Sequence, residues 1–277
     1  MTAPEPADSN PATTGFTASP PPPKPRSEAV TRQTNHLVTT GCLTLLIALI
    51  TALGLPVSWL WYRSWHDEKA NTARKDATLA SILEHARATA DDTAHALDTS
   101  DATDTDALIS VIWRHTQAPV ITYDPARHAF TATAAQSALY DEKALLLGGG
   151  PVRVTRCFVY TYAHRPGHTW TSRLSEHDPA VCRPAMRIGG LAGLARTRLS
   201  SMYAEDLTHA NVRKALDPTG RLRPYDVKSV KRTADTITLS ILLSSSDPMA
   251  DQCYRFTWRI AGANDQRTTT AVPVSSC

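Results

Sequence analysis

Cys157-Phe158-Val159-Tyr160-Thr161-Tyr162 and Cys253-Tyr254-Arg255-Phe256-Thr257-Trp258 share one form: cysteine, aromatic, any residue, aromatic, threonine, aromatic. Read as strands, each segment places its three aromatics on one face, because successive side chains alternate across a strand. Six of the eighteen aromatics in the chain lie on these two faces. A ligand-stacking platform has this pattern too, but alternation against helices is the ordinary signature of a core, and the stripes are read as core.

The flanks of the two segments also correspond. Cys157 precedes Cys182 by 25 positions, and Cys253 precedes Cys277 by 24. Upstream, Val120 stands ten residues before Phe130-Thr131-Ala132-Thr133, and Val227 stands ten before Ile237-Thr238-Leu239-Ser240. The first copy carries about eleven extra residues between Phe130 and Cys157, Gly148-Gly149-Gly150 among them. The expected fold class is therefore α+β, with two repeated units of helix plus antiparallel sheet over 107–183 and 184–277. Four cysteines allow three connectivities. The matched spacing favours Cys157–Cys182 and Cys253–Cys277, each closing one unit. Cys157–Cys253 with Cys182–Cys277, and the crossed pairing, would instead staple one unit to the other.

Each unit begins with helical sequence, and a further helix precedes the first. Leu79, Ile82, Ala86, Ala90, Ala94 and Leu97 form an apolar stripe over 67–98, and a short helix is expected over Asp106 to His115. The stripe suits a helix packed on its own domain; a membrane-proximal coiled coil is the alternative. Leu199, Met202, Tyr203, Leu207 and Ala210 suggest one helix between Gly193 and Pro218, stopped by Asp217-Pro218-Thr219-Gly220.

The N-terminal third has a different character. Eight of nineteen prolines fall between Pro4 and Pro25. Residues 1–35 have too little apolar surface to offset their ordering entropy and are expected as a disordered cytoplasmic tail, with Pro20–Pro23 favouring polyproline II. Leu37 to Tyr62 contains 26 residues without a charge, and about 20 suffice to cross a bilayer. Trp59, Trp61, Tyr62 and Trp65 resemble an interfacial belt. The run is too long for a cleaved signal peptide and no clean small-x-small site follows it, so 36–62 is expected as a transmembrane signal anchor. Three basic residues precede it and four follow, which leaves the positive-inside rule undecided. The cysteines after the span place residues 63–277 outside the cell, because disulfides persist outside the reducing cytosol.

Charge is distributed unevenly about a net of +3. Residues 76–106 carry eight acids and one base, within an expected acidic helical stalk over 63–106. Residues 107–277 carry 21 bases and 13 acids. Arg196, Arg198, Arg213 and Lys214 are the candidate anion-binding residues, for an anionic envelope polymer or lipid headgroups. An envelope protein is a further partner class, and nucleic acid is not expected. His164, His168 and His177 are weak metal candidates, since a site needs three or four convergent ligands. Gly189-Gly190-Leu191-Ala192-Gly193 reads as a glycine stretch preceding a helix, with amides open to an anion. No Gly-x-Ser-x-Gly, His-Glu-x-x-His or Cys-x-x-Cys occurs, and no cofactor is called for.

The Ala, Thr, Asp and Arg-heavy composition, the proline-rich tail and the single anchor resemble actinobacterial membrane-anchored proteins of unknown function. The resemblance implies a Gram-positive cell envelope as the setting and transfers no functional residues. The expected function is a membrane-anchored binding, sensing or scaffolding module. The alternative is a tethered envelope hydrolase with a site between the units.

Overall fold

The computed structural model describes residues 31–144, 149–220, 224–246, 249–259 and 269–277, with side chains from Leu43 onward. The proline run lies outside the described residues, as does Gly148. The chain divides into two compact units, Met1–Tyr62 and Arg63–Cys277. Helix α1 covers Thr31–Thr99. It begins five residues inside the segment expected to be tail, because extending an existing helix gains one hydrogen bond per residue fixed.

In the first unit every described side chain from Leu43 to Tyr62 is exposed. Leu45 and Trp61 are 74% and 77% accessible. The segment is apolar on all sides, so it has no single stripe to bury against a core. Thr51 Oγ1 donates to the carbonyls of Ile47 (2.8 Å) and Ala48 (3.0 Å), which satisfies its hydroxyl within the helix. The helix is long and apolar enough to cross a membrane.

The second unit is α+β. It contains α1 from Arg63 onward, α2 (Thr105–Thr116), α3 (Arg183–Ser200), α4 (His209–Leu216) and two antiparallel sheets. The first sheet runs β1 (Val120–Asp124), β2 (Ala129–Glu142), β3 (Gly150–Ala163), β4 (Thr171–His177). The second runs β5 (Tyr225–Arg232), β6 (Thr236–Ser246), β7 (Met249–Arg259), β8 (Thr269–Val274), again in sequence order. The central hairpins match in register. Phe130, Ala132 and Ala134 oppose Tyr162, Tyr160 and Phe158. Ile237, Leu239 and Ile241 oppose Trp258, Phe256 and Tyr254. The main difference is length: β2 and β3 have 14 residues each, β6 and β7 have 11. The longer strands give the first sheet a longer arm. Its end is held on α1, where Asn71 Nδ2 donates to the Lys143 carbonyl (2.7 Å) and Asn71 Oδ1 accepts the Lys143 N–H (2.9 Å).

Both aromatic faces are buried. Phe158, Tyr160 and Tyr162 pack beneath Ile82, Ala86, Ala90, Ala94 and Leu97 of α1 and Ile109 and Ile112 of α2. Tyr254, Phe256 and Trp258 pack beneath Ile188, Ala192, Ala195 and Leu199 of α3 and Val212 and Leu216 of α4. Alanines on each long helix leave room for rings on the sheet, so small and large residues interdigitate across each layer. Each ring-sized side chain buried in this way stabilises by about 1.5–3 kcal/mol.

Cys157 is bonded to Cys182 and Cys253 to Cys277, each pair with a Cα separation of 5.5 Å. Each bond ties the aromatic strand to the segment following the last strand of its sheet. The sheets also meet each other. Tyr254 donates its hydroxyl to the Pro119 carbonyl at 2.7 Å. The buried Gln252 side chain accepts the Ile121 N–H (3.0 Å) and donates to the Val274 carbonyl (2.9 Å).

Between 63 and 106, α1 supplies the helix that covers the first sheet. Across 183/184, α3 contacts β1 and β2 as well as the second sheet, and α2 contacts β8. Two expectations need correction. No single helix runs from Gly193 to Pro218: α3 ends at Ser200, α4 starts at His209, and Tyr203 between them is 59% exposed. Thr208 accounts for the restart, since its hydroxyl accepts the Asn211 N–H at 3.3 Å as an N-cap. Lastly, the Gly189–Gly193 stretch lies inside α3, where its amides belong to the helix.

Candidate functional site

Arg213 and Lys214 sit on α4, whose burial pattern decides where they point. Val212 and Leu216, four residues apart, anchor the helix to the second core. Ala210, Arg213, Lys214 and Asp217 follow helical spacing on another face and line a cleft of about 890 Å³. The opposite wall is Tyr225, Asp226 and Val227 of β5, with Leu242 and Ser244 of β6 behind. Asp217 closes one end as the acceptor of a tight turn. Its Oδ1 takes the Gly220 N–H (2.8 Å) and the Thr219 hydroxyl (3.1 Å). Gly220 has φ +64°, a conformation that favours glycine. His209 Nε2 donates to the Val227 carbonyl at 2.8 Å, beside the bulge that interrupts β5 between Val227 and Ser229.

The electrostatics of the cleft follow from which charges are engaged. Asp226 pairs with Lys228 at 2.6 Å, and Asp217 is occupied by its turn. Arg213 and Lys214 are exposed and make no ion pair among the described residues. Two cations therefore face a polar cleft whose acids already have partners. Tyr225 lies on the same wall, its hydroxyl donating to the Leu191 carbonyl at 3.3 Å. Burial raises its pKa, and Arg198 opposes that rise.

The other sequence candidates are scattered. Arg198 is not a free cation: its Nη1 donates to the Leu216 carbonyl at 2.5 Å, capping the C-terminus of α4. Arg196 lies at a different crevice, beside Trp113 and Pro119. His164 packs against Trp170, with ring centroids 5.0 Å apart, at the turn that also carries His168. His177 is at the far end of β4, opposite Cys157, and its ring bonds Ser175 at 3.0 Å. The three histidines are therefore not one ligand set, and among the described residues no group of three or more His, Cys, Asp or Glu converges. Sequence reasoning missed His209 and Asp226. Thr208 followed by the Val212/Leu216 spacing marks α4 and its first residue, but nothing local pairs that helix with β5.

Comparison with protein-family models, curated proteins and solved structures finds no match.

Proposed function

We propose that the chain is a membrane-anchored extracytoplasmic binding module of the cell envelope, built from two copies of one helix-plus-sheet unit, and that the α4–β5 cleft receives an anionic envelope polymer. One observation carries the ligand reading: Arg213 and Lys214 line the cleft unpaired, while Asp217 and Asp226 beside them are already engaged. The matching register and the matching disulfide spacing support the duplication. The apolar helix, exposed on all sides, supports the anchor. The disulfides support an N-terminus inside and the sheets outside.

The full chain in nanodiscs of zwitterionic lipid, titrated with polyphosphate, tests the ligand reading. Replacing Arg213 and Lys214 by alanine should weaken binding about tenfold, the sum of two exposed ionic contacts. Added salt should weaken it further by screening. Binding that ignores both the double variant and salt removes this reading. Preference for nanodiscs of anionic lipid over polyphosphate moves the ligand to headgroups. The anchor is tested apart: a thiol introduced by Ser19→Cys should resist an impermeant reagent on intact cells, and labelling reverses the orientation.

A further inference from the structure

A second concavity, separate from the α4–β5 cleft, lies where the two sheets meet. Trp113 and Gln117 border it from α2 and its cap, and Pro119 from the connection to β1. Gly189, Ala192, Gly193 and Arg196 come from α3, and Tyr254 and Ala271 from β7 and β8. All four of the α3 residues fall at helical spacing on one face. At Gly189 α3 comes close to its neighbour: a Cβ there would stand 2.9 Å from Pro119 Cγ, so only glycine allows the approach. One turn further, at Gly193, a Cβ would meet nothing within 4 Å. The helix is therefore held against Pro119 at one point and stands clear at the next, which leaves the crevice open. Its polar wall groups are mostly spoken for. Tyr254 donates to Pro119, and Gln117 Nε2 donates to the Arg114 carbonyl at 3.1 Å. Arg196 is exposed at the crevice and has no ion pair among the described residues.

We infer that this crevice binds a small monocarboxylate with an apolar tail about the size of one ring, its carboxylate paired with Arg196. The volume, about 170 Å³, sets the size; an apolar cavity of about 150 Å³ holds benzene. The planar guanidinium sets the headgroup, because its donors match a carboxylate two at a time. Glycine and alanine on α3 with Trp113 and Pro119 opposite provide an apolar slot for the tail. The site joins α2 and the Pro119 connection to α3, β7 and β8, so an occupant touches the second sheet and the segment leading into the first.

Saturation-transfer NMR on the full chain in nanodiscs, with benzoate as probe and benzamide as its neutral isostere, tests the assignment. Benzoate should bind with a Kd on the order of 1 mM, within the range for a ligand of its size. Gly193→Leu fills the open space and should abolish binding. It should not cost folding, since leucine is the better helix former. Gly190→Leu, also with nothing within 4 Å but outside the crevice, should bind as the parent does. Arg196→Gln should weaken benzoate about tenfold and leave benzamide unchanged. A tetrapeptide ending in phenylalanine separates the sources: equal binding assigns the site to chain ends, and failure assigns it to free acids. No benzoate binding, binding that survives Gly193→Leu, or equal affinity for benzoate and benzamide each overturns the inference.

Discussion

Arg255 Nη2 lies 2.5 Å from Asp106 Oδ2, joining the first turn of α2 to the aromatic strand of the second sheet. The other carboxylate oxygen accepts the Ser275 N–H (2.8 Å) and the Ser275 hydroxyl (2.7 Å). Burial opposes ionisation of Asp106, but the Ser275 and Arg255 donors outweigh it and hold the carboxyl below its usual range. A folded-state pKa below the unfolded value of about 3.9 gives stability that is present above that pH and lost as pH falls through the folded pKa. Asp106→Asn should therefore flatten the acid limb of the stability curve below about pH 4. At neutral pH, Asp106→Ala should cost about 1.5–3 kcal/mol, read by urea unfolding. An unchanged acid limb in Asp106→Asn counts against the linkage.

Removing the Cys253–Cys277 bond should cost about 2–4 kcal/mol. It should also loosen Ser275, two residues from Cys277. The pair Cys277→Ser and Asp106→Ala should consequently lose less together than the sum of the two alone, since both act on the Ser275 contact. Cys182→Ser, at the other disulfide, should add to Asp106→Ala within about 0.5 kcal/mol. A double-mutant cycle by thermal unfolding distinguishes the two cases.

Arg198 and its basic neighbours on α4 should respond oppositely to truncation. Arg198→Ala leaves the Leu216 carbonyl without its donor and should cost about 1–3 kcal/mol. Arg213→Ala and Lys214→Ala touch only the cleft, and each should stay within about 0.5 kcal/mol of the parent. A large destabilisation from either cleft variant would show that the pair holds the fold rather than facing a ligand.

The buried tyrosines should resist alkali. Burial drives the pKa of Tyr160 up to about 12, against the hydrogen bond from Gln136, and raises those of Tyr162 and Tyr254 as well. The neutral phenols persist in the folded chain above the unfolded value of about 10, so stability should fall as pH rises past that value. Ultraviolet titration of the folded chain should show the Tyr160 phenolate only near 12. Tyr254→Phe should separately cost about 1–3 kcal/mol by leaving the Pro119 carbonyl unpaired.

The paired aromatic segments carry their own structure. Alternation places Phe158, Tyr160 and Tyr162 on one face whatever surrounds them, and nearly equal cysteine spacing makes similar closures possible. The length and uniform apolarity of residues 37–62 likewise need no partner to be read. Where α1 stops being a solitary helix and becomes the lid of a sheet was not legible, because its stripe is alanine and looks weak until the rings beneath it are known. Neither was the fate of the four basic candidates. Arg198 and Arg196 are two residues apart, yet one caps a helix 18 residues away and the other faces the crevice between the sheets. A side chain's local sequence sets which way it leaves its helix; what it meets there depends on how α3, α4 and the two sheets pack, and that is a property of long-range contacts alone.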